Sequence, residues 1–163
     1  MKKFLIGLLV LTLVLNCTVF AYADTAVMYD DQFINLCADP NSNVDNPYNL
    51  SSSSYKSTFN FANYSTTKAI KVPSDGTATV TLTDAYMNFS STSKPTVYVK
   101  AYYWNGSTWI KATVTPSSVK VSKTKATYTF SVSGISKGTA FYVKLSKTEY
   151  TGYKFTGSIT ISD

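Results

Sequence analysis

The chain has two tryptophans, Trp104 and Trp109, and both flank one Asn105-Gly106 in the stretch AYYWNGSTWIKA. Asn-Gly is the preferred pair of a two-residue type I′ hairpin turn, so the stretch predicts two antiparallel strands. In that register Trp104 faces Ser107 and Tyr102 faces Trp109. One face then collects Val97, Val99, Ala101, Tyr103, Ile110, Ala112 and Val114, and the other Tyr98, Lys100, Tyr102, Trp104, Trp109 and Lys111. A four-residue loop would change the partners and keep both sets. A one-residue slip would put charge in the core. The aliphatic set supplies the buried side, which leaves the aromatics beside the lysines. Aromatic faces stack on the apolar C–H faces of sugar rings, and lysines meet hydroxyls or acidic groups. The chemistry predicted is therefore non-covalent ligand binding by Trp104, Trp109, Tyr102, Tyr98, Lys100 and Lys111. The competing account is that these rings only stabilise the hairpin, or lie under an N-terminal segment carrying Met28, Tyr29, Phe33 and Ile34.

Other constellations carry less. Asp39, Asn41, Asn43 and Asp45 alternate as oxygen ligands do at the start of a calcium loop. The match fails at Val44, where the sharp turn needs glycine, and at Leu50, where a bidentate glutamate is needed. A structural calcium ion is the candidate there, an Asx- and Pro-rich turn the default; no other cofactor is expected. Ser-x-x-Lys occurs at Ser53/Lys56, Ser65/Lys68, Ser91/Lys94, Ser117/Lys120 and Ser122/Lys125. So many copies in a chain rich in both residues reflect chance, and the motif works on a helix start. With no histidine, no arginine and Glu149 as the only glutamate, the usual Ser-His, Cys-His, His-zinc and arginine-clamp chemistries are missing. Nor is there an evident carboxylate pair for glycoside hydrolysis. A non-enzymatic protein is expected.

The elements that must position the aromatic face are strands. Past residue 50 the apolar residues alternate with period two. Tyr55, Ser57, Phe59 and Phe61 share a face, and Ile70 and Val72 precede the turn at Pro73-Ser74-Asp75-Gly76. Ala78, Val80 and Leu82 point inward against Thr77, Thr79, Thr81 and Thr83 outward. Ala126, Tyr128, Phe130 and Val132 alternate with Thr127, Thr129 and Ser131. Phe141, Val143 and Leu145 share one face, as do Tyr153, Phe155, Ile159 and Ile161. With the hairpin and a strand near Val119, this gives about eight or nine short strands and no helical period. The expected fold is all-β, an antiparallel two-sheet β-sandwich of Ig-like or jelly-roll-like kind, with a closed barrel as the alternative. The threonines from Thr77 to Thr83 could form a hydroxyl ladder, although strand propensity alone places threonine there.

Residues 1–23 have the layout of a secretory signal: Lys2 and Lys3, an apolar run from Phe4 to Leu15, and Ala21-Tyr22-Ala23 as the cleavage site. The run is shorter than the roughly 20 residues a membrane span needs. Lipidation at Cys17 is the rival, but Asn16 stands where a lipobox has a small residue. Cleavage after Ala23 leaves Cys37 as the single thiol, expected to be a buried inert group rather than an intermolecular link. Residues 24–54 form an acidic segment with a Ser-rich linker at Ser51–Ser54, and residues 55–163 the sandwich domain. Asp24, Asp30, Asp31, Asp39 and Asp45 precede any lysine of that mature chain; thereafter thirteen lysines stand against Asp75, Asp84, Glu149 and Asp163, a net of +9. A basic secreted domain is drawn to anionic polymers; alternatively the acidic segment docks on the basic body, or the lysines keep sheet edges soluble. The Asn-x-Ser sites at Asn49, Asn63, Asn88 and Asn105 matter only in a eukaryotic secretory path, and the Lys-Lys signal has a bacterial character.

The FNF strand at Phe59, TATVTLT at Thr77 and GTAFYVKLS at Gly138 are similar to the strands of small accessory sandwiches on secreted bacterial enzymes, including carbohydrate-binding and pre-peptidase-type modules. Such modules usually accompany a catalytic domain, whereas here a module by itself is expected. The function expected is attachment to an extracellular polysaccharide or anionic cell-wall polymer at the cell surface, without specific nucleic acid recognition. The alternatives are a self-assembling matrix protein and a membrane-active secreted protein.

Overall fold

The computed structural model describes residues 38–50, 53–73 and 75–163. The expected signal peptide, Cys37, the residues Met28 to Ile34 and most of the acidic segment lie outside them. The strands in chain order are β1 (Tyr48–Asn49), β2 (Tyr55–Phe61), β3 (Tyr64–Thr66), β4 (Ile70–Lys71), β5 (Ala78–Met87), β6 (Thr96–Trp104), β7 (Trp109–Lys111), β8 (Thr113–Thr115), β9 (Ser118–Lys120), β10 (Ala126–Ser133), β11 (Ala140–Ser146) and β12 (Phe155–Ser162). They form two sheets. One runs β2-β12-β5-β10-β8; the other runs β1-β4-β11-β6-β7, with β3 also on β11 and β9 also on β6.

The expected two-sheet sandwich is the observed fold, and period-two alternation is what builds it. Val80, Leu82, Phe130, Val132, Ile159 and Ile161 from one sheet meet Val97, Val99, Ala101, Phe141, Val143 and Leu145 from the other in one buried cluster. There are twelve strands rather than eight or nine, because β1, β3, β4, β7, β8 and β9 span only two or three residues each. Runs that short are held by their neighbours and show no period of their own. All the pairings are antiparallel except β1 with β4, which is parallel.

The five-stranded sheet carries one interruption. Asp84 has a left-handed φ of 52°, and one extra residue of β5 lies opposite both β10 and β12. The bulge resets the alternation, so Leu82 and Ala85 both face the core with Thr83 and Asp84 outside. Gly157 of β12 sits against it. A Cβ there would come within 2.7 Å of the Phe59 ring and 2.9 Å of the Ala85 backbone, so only glycine lets the strand close up.

The described part of the acidic segment is built into the sandwich instead of preceding it. Asn43 explains why. Its side-chain amide donates to the Ala69 carbonyl at 2.9 Å and its oxygen accepts from the Ala69 N–H at 2.8 Å. Tyr48 N–H donates to the same carbonyl at 3.0 Å, β1 then pairs with β4, and Leu50 enters the core. Further along, Lys147 is buried. Its ammonium caps the Tyr150 and Glu149 carbonyls at 2.7 and 3.4 Å, and burial lowers its pKa below the ordinary lysine value.

Candidate ligand-binding face

The outer side of the seven-stranded sheet holds the aromatic and basic side chains. Strand β6 presents Tyr98, Lys100, Tyr102 and Trp104, while Val97, Val99 and Ala101 are buried. Strand β7 adds Trp109 and Lys111. Apart from Val114, which lies on β8 of the other sheet, the two face sets stand as the alternation predicts, but the turn does not. The observed pairs are Trp104 with Trp109, Tyr103 with Ile110 and Tyr102 with Lys111, leaving a four-residue loop, Asn105 to Thr108, in place of the two-residue type I′ turn. Asn105 is the cause. Its side-chain oxygen accepts from the N–H groups of Ser107 and Thr108 at 3.0 and 2.8 Å, which competes with closing the tighter turn. Asn105 N–H donates to the Thr108 carbonyl at 3.1 Å, and Gly106 takes the left-handed φ of 101°. Because the shift is even, no side chain changes face.

Pairing of β6 with β11 brings in a residue that sequence reasoning missed. Tyr142 lies directly across from Tyr102. Their rings stack at 5.2 Å and 18°, Trp109 meets Tyr142 edge-on at 4.8 Å, and Trp104 packs on Trp109 at 5.2 Å. Four rings thus make one strip over three strands, each about half-buried in its neighbours. The signal was present, since the alternation that turns Phe141, Val143 and Leu145 inward turns Tyr142 and Lys144 outward. Only the pairing partner was not legible. Burial, followed by the nearby Tyr102 phenol, pushes the Tyr142 phenol above its ordinary pKa. Beyond the strip, Tyr98 and Tyr64 are 37% and 49% exposed.

The tryptophans are not free of the N-terminal part. Trp109 Nε1–H donates to the Asn41 side-chain oxygen at 2.8 Å. The same contact bears on the calcium-like spacing. Asp39 accepts from the Asn41 N–H at 2.9 Å as cap of the 3-10 turn Pro40–Asn43, Asn41 serves Trp109, and Asn43 serves Ala69. Three of the four oxygens point to three different donors. Among the described residues no group of three or more aspartate, glutamate, cysteine or histidine side chains is placed to hold a metal ion.

The lysines form a second pattern. Lys100 and Lys144 are direct cross-strand neighbours, Lys111 faces Tyr102, Lys71 faces Ala140 and Lys120 faces Thr96. Lys144 Nζ also lies 4.6 Å over the Tyr64 ring. The strands of this sheet contain five lysines and no aspartate or glutamate. The one ion pair among the described residues joins Lys125 and Asp84 at 3.7 Å, beside the five-stranded sheet.

Two notches, each of about 600 Å³, open beside the strip. The first is lined by Tyr98, Val99, Lys100, Lys111, Ala112, Thr113, Val114 and Ser117. It exists because the chain leaves β7, adds β8 to the other sheet and returns to β6 as β9. The second lies between the hairpin tip at Trp104–Gly106, the segment from Val44 to Asn49, and Lys71 with the Gly138 turn. The expected site residues are thus brought together: Tyr102, Trp104 and Trp109 in the strip, Tyr98, Lys100 and Lys111 at the first notch.

No protein-family profile matches the sequence, and no curated protein matches it. Among solved structures, a family 16 carbohydrate-binding module is similar over 66% of this chain and 76% of its own, at 11% identity and a TM-score of 0.39. That degree of likeness carries no inference about ligand or activity.

Proposed function

We propose that this chain is a secreted, non-enzymatic binding protein that attaches to an extracellular carbohydrate polymer through the outer face of its seven-stranded sheet. The observation that carries the reading is the continuous strip of Trp104, Trp109, Tyr142 and Tyr102, edged by lysines and flanked by a notch on either side. Half-buried rings held by their neighbours keep fixed orientations, so a sugar ring that stacks on them finds a preformed surface. An extended chain suits a strip of this kind better than a closed pocket would, because successive sugars meet successive rings. The flanking lysines and Tyr98 supply the polar contacts that orient it.

The test is retention on immobilised polysaccharides and wall polymers of wild type against the Trp104→Ala/Trp109→Ala double variant, with thermal melting to confirm folding. Two stacked rings contribute on the order of 2 kcal/mol together, so affinity should fall roughly thirtyfold. Undiminished retention by a folded double variant would sink the reading.

A further inference from the structure

We propose that the polymer held on this face is polyanionic, and that Lys100, Lys111 and Lys144 take its acidic groups. The inference rests on the reading above and narrows its ligand class. The three lysines come from three adjacent strands, β7, β6 and β11. Lys100 is opposed directly by Lys144 and shares the first notch with Lys111. Like charges placed opposite one another on a sheet destabilise it, and none of the three has a carboxylate within ion-pair distance among the described residues. The seven strands hold no Asp or Glu to neutralise them; Lys144 alone has a ring partner there, its Nζ lying 4.6 Å over Tyr64. Lys71 and Lys120 continue the same face to either side. Asp45 and Lys71 both line the far notch, and Asp39 caps the turn whose Asn41 meets Trp109.

A neutral sugar would leave these ammonium groups as they are, and would gain little from three of them in a row. A chain bearing carboxylate, sulfate or phosphate groups would neutralise all three while its rings lie on Tyr98, Tyr102 and the tryptophans. The apolar floor of the notch, Val99, Ala112 and Val114, keeps water from one side of the contact and strengthens it. Because the neutralised charges release counterions, affinity should fall with salt. Three contacts imply a loss on the order of twentyfold between about 50 and about 200 mM, if each behaves as on a single-stranded polyanion.

The probes are dextran and dextran sulfate, which share a backbone and differ in charge. Wild type, Lys100→Gln/Lys144→Gln, Trp104→Ala/Trp109→Ala and the control Lys56→Gln/Lys125→Gln are compared by isothermal titration at two salt concentrations. The expected result is binding of dextran sulfate at least tenfold tighter than dextran, lost in the Lys100/Lys144 variant and kept in the control, whose Lys56 lies in β2 and whose Lys125 precedes β10, paired with Asp84. Equal affinity for both probes would overturn the polyanion inference and leave carbohydrate binding standing. Equal loss in the control would reduce the effect to net charge and overturn it as well. Loss in the Lys100/Lys144 variant with full retention in the tryptophan variant would uphold the anion site and remove the stacking reading instead.

Discussion

Replacing Lys100 by Glu should make the protein more stable while it weakens anion binding. Cross-strand neighbours place their Cβ atoms about 5 Å apart and diagonal ones about 7–8 Å apart. Taking charge separations of roughly 6 Å to Lys144 and 8 Å to Lys111, each repulsion in water is about 0.7 and 0.5 kcal/mol. Reversing one charge turns both into attractions, a swing of about 2.4 kcal/mol before screening. At 0.1 M salt the Debye length of about 10 Å leaves roughly half of that; at 1 M, with about 3 Å, around a tenth survives. Glu and Lys are both poor strand formers, so propensity adds little. Lys100→Glu should therefore raise the melting temperature by about 5 °C at 0.1 M salt, at roughly 4 °C per kcal/mol for a domain of this size, and by little at 1 M. Differential scanning calorimetry at the two salts reads this directly. An unchanged or lower melting temperature at low salt would refute the account of the lysine row. So would an increment of the same size at both salts, because then its origin would not be Coulombic.

Two further outcomes follow from other parts of the molecule. Gly157→Ala should destabilise the fold by about 1–3 kcal/mol, because the new methyl meets the Phe59 ring and the Ala85 backbone at the bulge; chemical denaturation checks it. Tyr142 keeps its proton to higher pH in the folded chain than in the unfolded one. The folded state therefore binds more protons once pH passes about 10, and the stability contributed by this group is intact below that value and lost as pH rises through the raised pKa. Absorbance titration of tyrosinate should show a late component that Tyr142→Phe removes, and the stability difference between the two proteins should shift in that same window.

What the sequence made legible was local. The period of two in ATYTFSVS and FYVKLS assigns each side chain to a face without reference to any partner, and those faces stand in the structure. The hairpin loop length did not follow from Asn-Gly alone, because the Asn105 side chain can bind the next amides as well as turn the chain. Pairings between distant strands are set by the whole sheet. For that reason Tyr142 could be turned outward from its own strand, yet not placed beside Tyr102. The stretch from Asp39 to Asp45 shows the limit most clearly. Its alternating oxygens resemble a cation loop, whereas Asn41 and Asn43 hold Trp109 and Ala69, 68 and 26 residues further along the chain. Asp84 was likewise invisible as a bulge, since the residues around it continue a plausible strand.

The excursion of the chain from β7 to β8 and back to β9 has a mechanical consequence. It lines the first notch from both sheets, with Lys100 and Lys111 from one and Val114 from the other. A pull on anything lodged there would enter the molecule through both layers at once. The two sheets would share the load rather than slide over one another, and β8 would act as a rivet through the sandwich.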